Sequence, residues 1–267
     1  MKRLALPAVA ALLSLAACSG TPTTQTTPQG VPQVAQGSSA PADPDKDKAA
    51  AQAYFTAIVS NDPDTMTDAL KWAAPGSLAK GYAQHLANVE QSLLDGGTSE
   101  DADTLDPSGE GGVYGYCPVG EEPDSKSCNT WENVRFNGGK VVDFTVKKVD
   151  ISKRLTLGSD EKIKVASLAD VTFLSAYQSV QSKSLFVALR VKSKNGKINV
   201  NSYTAKYRDP SGRQATATDA NGPIDFDKDS IGNVTVVFKN AKPGGVMTLE
   251  VTDSDFEHIK NVKIKTA

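Results

Sequence analysis

Apolar residues change their spacing in successive regimes along the chain. Leu4 to Leu15 is a nearly unbroken apolar run behind Lys2 and Arg3. About 12 residues suit the apolar region of a secretory signal and are too few to span a bilayer. From Ser19 to Lys46 apolar side chains thin out, and Thr, Pro, Gln, Ser and Ala take over. The spacing then becomes helical. Asp43-Pro44 reads as a cap and first helical residue, followed by Ala50, Ala53, Tyr54, Ala57 and Ile58 on one face. Asn61-Asp62-Pro63 stops this helix and caps a second, which carries Met66, Ala69, Leu70 and Ala73. A third is predicted from Leu78 to Leu94, with Leu78, Tyr82, Leu86, Val89 and Leu93 along one stripe, ended by Gly96-Gly97. Thr98 to Glu110 is acidic and rich in breakers, and reads as a loop.

From Val113 the period falls to two, the mark of strands. Val113–Cys117 and Thr130–Phe136 predict a hairpin with an irregular loop, and Asn137-Gly138-Gly139 predicts a turn. Val142, Phe144 and Val146 then alternate with Asp143 and Thr145. Further on, Leu185, Val187, Leu189 and Val191 share a face, as do Tyr203, Ala205 and Tyr207. So do Val234, Val236 and Phe238, then Met247, Leu249 and Val251, then Val262 and Ile264. Turns at Asp209-Pro210-Ser211-Gly212 and Lys242-Pro243-Gly244-Gly245 separate these strands. About seven short strands with regular turns predict a β-sandwich. The expected fold class is α+β: a small helical α+β unit over residues 47–157, then an all-β sandwich over 163–267.

Three stretches resemble known families. Leu15-Ala16-Ala17-Cys18 resembles the lipobox of bacterial lipoproteins. The resemblance implies a signal peptide over 1–17 and a diacylglyceryl group on the Cys18 sulfur. The protein would then be held on the extracytoplasmic face of the cell membrane, since two acyl chains suffice for stable anchoring. The rival is an ordinary secretory signal cut after Ala17. Ala53-Tyr54-Phe55-Thr56-Ala57-Ile58 through Met66 is similar to the opening helices of NTF2-like domains. Leu185–Val191, Tyr207–Arg213, Gly232–Phe238 and Pro243-Gly244-Gly245 resemble telokin-like, immunoglobulin-like domains of Gram-positive secreted proteins, the immunoprotective extracellular protein type. That resemblance implies an immunoglobulin-like sandwich and an envelope setting, and carries no general activity.

Composition narrows the picture. Five prolines (22, 28, 32, 41, 44) bias residues 18–46 towards an extended, disordered stalk reaching about 30 to 90 Å. The net charge is −2, and two of the 29 basic residues, Lys2 and Arg3, lie in the expected signal. The remainder is net acidic, which gives no footprint for nucleic acid. No later segment approaches the length of a transmembrane helix. Of three cysteines, Cys117 and Cys128 remain once Cys18 is lipidated. In an oxidising compartment they are expected to pair, worth about 3 kcal/mol for a loop of roughly 12 residues. A metal site is the rival, without further Cys or nearby His ligands.

Candidate chemistry is sparse. His85 reads as structural and His258 as a surface residue. Ser77-Leu78-Ala79-Lys80 matches S-x-x-K without its partner motifs, so Ser77 reads as a helix cap. Ser159–Lys162 matches by chance. Asp225-Phe226-Asp227-Lys228-Asp229 alternates carboxylates, but Ser230 and Val236 stand where an EF-hand needs Gly and Glu. Asp219 and Asn221 keep a non-EF calcium site open; a solvated loop is the plainer reading. Lys192, Lys194 and Lys197 form a charged turn. Tyr114, Tyr116, Trp131 and Phe136 surround the cysteine pair, and form either a partner surface or a core.

No cofactor, metal or catalytic residue is expected. The expectation is a non-catalytic, membrane-anchored binding or envelope module, its partner an envelope protein, a glycan or a host molecule. The alternative is a small-molecule carrier with a pocket in the middle unit.

Overall fold

A computed structural model describes residues 43–98, 104–106, 109–117 and 128–267. The signal, Cys18 and all but the last residues of the expected stalk lie outside them.

Three helices come first: α1 (Pro44–Ile58), α2 (Pro63–Trp72) and α3 (Leu78–Asp95). Each starts where a short polar side chain can satisfy a free amide. Asp43, Asp62 and Ser77 accept from the amides of Lys46, Thr65 and Lys80 respectively. α1 therefore begins within the span assigned to the stalk. An antiparallel five-stranded sheet follows in the order β1 (Thr104–Asp106), β2 (Tyr114–Cys117), β3 (Asn129–Phe136), β4 (Val141–Val146), β5 (Val149–Asp150). β1 lies inside the stretch read as a loop. It is three residues of edge strand, fixed by pairing to β2 rather than by any period of its own.

The alternation predicted for β4 is out of phase at its start. Val141 is fully buried and Val142 only partly. Arg135 pairs with Asp143 but Phe136 with Val141, so Val142 is bulged and the pleat resets across it.

The remaining strands form two facing sheets. One runs in the order β12 (Asp219–Asn221), β14 (Ile231–Phe238), β9 (Leu185–Ser193), β8 (Ala169–Gln178), β6 (Leu155–Leu157), with β7 (Lys162–Val165) also on β8. The other is β11 (Gln214–Thr216), β10 (Ile198–Arg208), β15 (Val246–Asp253), β16 (Ile259–Lys265), with β13 (Asp225–Phe226) also on β10. β6, placed by the sequence with the helical unit, thus belongs to the sandwich. Its core interleaves Val187, Leu189, Val191, Val234, Val236 and Phe238 with Val200, Tyr207, Met247, Leu249, Val251 and Ile264. The architecture is α+β with a β-sandwich.

Tyr203 was expected beside Ala205 and Tyr207 on the buried face and is instead 52% exposed. β10 pairs Asn201 with Glu250 and next Lys206 with Thr248, so residues 202–205 bulge and turn Tyr203 outward.

α3 is the joint of the molecule. Its Tyr82 and Ala83 enter an aromatic core with α1, β3 and β4. Its other side lies on the outer face of β14, β9, β8 and β6. The described residues accordingly cluster as one compact unit.

Candidate functional site

The four aromatic residues beside the cysteine pair do not form a common surface. Tyr114 and Trp131 are buried, while Tyr116 and Phe136 are half buried. Phe55 of α1 draws the first two inward: its ring stacks on Tyr114 at 4.7 Å and on Trp131 at 4.9 Å. Tyr116 stacks on Trp131 from the other side at 5.0 Å. Burying such rings outweighs presenting them to water, because each removes a large apolar area. Cys117 closes β2 and Cys128 directly precedes β3, with Tyr116 opposite Asn129 in register. The next pair along these strands is the disulfide Cys117–Cys128, with Cα atoms 4.1 Å apart.

The sandwich has two outer faces, and the helix treats them differently. On the β14–β9–β8 face, the outward positions Ser175 and Thr235 are fully buried and Asn233 nearly so. Burying polar groups is costly unless each is bonded. α3 supplies the bonds. His85 Nδ1 lies 2.9 Å from Ser175 Oγ, and the Ser92 and Thr235 hydroxyls meet at 2.8 Å. The Asn233 backbone N–H donates to the Asp95 carboxylate at 2.6 Å and its side-chain Oδ1 accepts from Arg190, while its buried Nδ2 has no partner. Small residues permit this closeness: a Cβ on Gly96 would stand 3.1 Å from the Gly222 backbone. α3 covers this face around Ser175, Asn233 and Thr235, while Arg190, Lys192 and Ile231 further along it stay exposed.

The His85–Ser175 pair has the composition of a base beside a nucleophile. Both residues are shut from solvent, at 1% and 0% exposure. Burial also pushes the imidazole down to about 3, too weak a base near neutral pH. The pair is a packing bond.

Where α3, β2, β8 and β9 converge, a cleft of about 190 Å³ opens between Tyr82, His85, Leu86, Tyr116, Tyr177 and Phe186. Burial pushes the Tyr177 hydroxyl up to about 12, so it stays protonated there. The cleft is smaller than the roughly 300 Å³ at which small-molecule sites begin.

The outer face of the β11–β10–β15–β16 sheet is open. Opposed residues of neighbouring antiparallel strands point to the same side. One row of this face reads Thr216, Lys206, Thr248, Lys263, and the next Gln214, Arg208, Val246, Lys265. All four cations are exposed. The sequence reading did not single them out. The alternations Lys206-Tyr207-Arg208 and Lys263-Ile264-Lys265 were visible. What was missing was the knowledge that β15 alone separates them.

The other candidates are dispersed. Ser77 Oγ accepts from the Lys80 amide at 3.1 Å and caps α3. Ser159 lies in the loop before β7. His258 is exposed and bonded to Asp253, whose carboxyl is held below the usual range by hydrogen bonds from His258. Asp225 accepts from Asn199 on the neighbouring strand, and Asp219 caps its own strand by accepting from the Ala220 amide. Among the described residues no three His, Cys, Asp or Glu side chains converge on a metal position. Lys194 pairs with Asp170 and Lys197 with Asp225, whereas Lys192 lies on β9 and not in the turn. Among the described residues no helix is long and apolar enough to cross a membrane.

Together these features define a disulfide-bonded α+β protein whose third helix covers part of one sheet of a sandwich and leaves the outer face of the other open. No protein-family model and no curated protein matches the chain.

Proposed function

We propose that this chain is a membrane-anchored extracytoplasmic lipoprotein that works as a non-catalytic binding module. Its sandwich is of the telokin-like, immunoglobulin-like kind, and the open sheet face meets the partner. The observation that carries the reading is the asymmetry of the sandwich: α3 packs on one sheet and bonds Ser175, Thr235 and the Asn233 backbone there, while no helix packs on the outer face of the other sheet among the described residues. The run Leu15-Ala16-Ala17-Cys18 supports lipid attachment at Cys18, and the disulfide supports an oxidising setting. The NTF2-like reading of the helical part gains support from Ala73. It forms a parallel bridge to Val141 between the second and third helices, and the Ala74 amide donates to the Val141 carbonyl at 2.9 Å. The carrier alternative has less support, given the small aromatic cleft.

The reading is tested in cells with a photo-crosslinking residue at Thr248 on the open face or at Ala49 on α1. Thr248 should capture a partner that Ala49 does not. Cys18→Ala should remove the protein from the membrane fraction or leave unprocessed precursor. Equal capture from both positions would refute the binding face, and unchanged lipid labelling of Cys18→Ala would refute the anchor.

A further inference from the structure

We infer that the open sheet face binds a linear acidic glycan, a sugar polymer carrying an oxyanion in each repeat. The inference rests on the binding-module reading above and names the partner's chemistry.

Lys206 and Arg208 on β10 face Lys263 and Lys265 on β16 across the neutral pair Thr248 and Val246 of β15. Sheet geometry sets the spacing: about 7 Å between the rows and roughly 10 Å across the intervening strand. This is a rectangle of four positive charges in a chain whose net charge is −2. Among the described residues none of the four has a carboxylate within ion-pair distance, whereas Lys194 and Lys197 of the same sandwich do. The carboxylate nearest in register, Glu250, sits one row further on and accepts from Asn201. Glu161 shares a neighbouring groove with Lys263 and Lys265, but the four cations outnumber the carboxylates beside them, and an anionic ligand relieves the repulsion that is left.

The shape and lining choose among anions. Lys206, Arg208, Lys263, the neutral Gln214, Val246 and Thr248, and Tyr207, whose side chain is buried in the core, line a shallow groove of about 420 Å³. A groove admits a chain lying along it, whereas a bilayer presents a flat surface. A face that grips anionic lipid also carries apolar side chains to insert; here the centre is Thr248 and a half-buried Val246. A protein interface centres on aromatic or aliphatic anchors; here the Tyr207 ring is turned into the sandwich core, and a half-buried Val246 is the apolar side chain the groove presents. Gln214 and Thr248 supply neutral donors and acceptors suited to sugar hydroxyls, and the cations supply oxyanion contacts.

The test uses the full chain in neutral detergent, titrated calorimetrically with polygalacturonate fragments, neutral pullulan, phosphatidylglycerol vesicles and duplex DNA. Saturable binding of polygalacturonate over pullulan is expected, weakening at least tenfold between low and moderate salt because exposed charges are screened. The double variant Lys206→Gln/Lys263→Gln should lose at least tenfold in affinity. Lys206→Arg/Lys263→Arg should retain it, and so should Lys48→Gln/Lys153→Gln, which removes the same charge elsewhere. Absent polygalacturonate binding, equal loss in the Lys48/Lys153 pair, or tighter binding to vesicles or DNA each overturns the inference. If polygalacturonate fails while Thr248 still captures a partner in cells, the glycan falls and the binding module stands. If Thr248 captures nothing beyond Ala49, both fall.

Discussion

Single side chains hold distant segments together here, and two of them are open to test. Tyr207 Oη donates to the Lys242 carbonyl at 2.8 Å, accepts from the Gly245 amide at 2.9 Å and meets Thr266 Oγ1 at 2.9 Å. It ties β10 to the turn before β15 and to the end of β16. Tyr207→Phe would leave these groups short of a partner, and should lower stability by about 1–3 kcal/mol in urea unfolding. His85 sets a pH dependence. Its folded pKa is pushed down to about 3 from the ordinary 6.5. Between those values the unfolded chain holds a proton that the folded chain does not. This contribution is therefore fully present above about pH 6.5 and is lost as pH falls towards 3. The slope is at most about 1.4 kcal/mol per pH unit. A His85→Gln variant should show a shallower loss of stability over that window than the parent, measured by denaturation at stepped pH.

Among the elements, α3 decides the architecture. Of its predicted stripe Leu78, Tyr82, Leu86, Val89 and Leu93 only Tyr82 is fully buried, and Ala79 and Ala83 complete that core face. Its second buried stripe, Gly81, His85 and Ser92, is small or polar, and only His85 of the three reads as structural from the sequence. Only the outward Ser175 and Thr235 of the sandwich explain it, because polar groups can be buried in pairs where each satisfies the other. Close approach is the second requirement. Gly96 lies against Gly222, which itself has a φ of +108° and no room for a side chain beside the Asn233 carbonyl. Gly96→Val should cost about 1–3 kcal/mol through overpacking. Hydrogen-exchange protection should fall in the last turn of α3 and in β12 and β14 together; loss confined to α3 would mean the contact is incidental.

At the scale of the whole molecule, the helical part and the sandwich share a core. Tyr177 of β8 sits in the same cluster as Tyr54, Tyr82, Trp131 and Phe144. Tyr82 meets Phe144 at 5.3 Å and Tyr177 at 5.2 Å, linking the two sides by ring contacts. Unfolding should therefore be one cooperative transition, with tryptophan fluorescence and far-ultraviolet circular dichroism coinciding. Separate transitions would show that α3 does not couple the parts. Cys117→Ser/Cys128→Ser should lower the midpoint of that transition, by roughly 3 kcal/mol in the chain-entropy account.

The sequence alone determined what is encoded locally. Asp43, Asp62 and Ser77 announced the helix starts because a cap needs only the next turn. Alternating Val and Leu announced the sandwich strands, and two cysteines expected to share an oxidising compartment announced their pairing. Long-range pairing decided the rest. The bulges at Val142 and at 202–205 reset the pleat where no local signal marked it, sending Val142 partly out and leaving Tyr203 about half exposed. The aromatic residues near the disulfide became core because α1 brought Phe55 over them. The cationic rectangle exists only because β15 lies between β10 and β16. A strand's alternation states which residues share a side, but not which strand will stand next to it, and that neighbour is chosen by the packing of the whole sandwich.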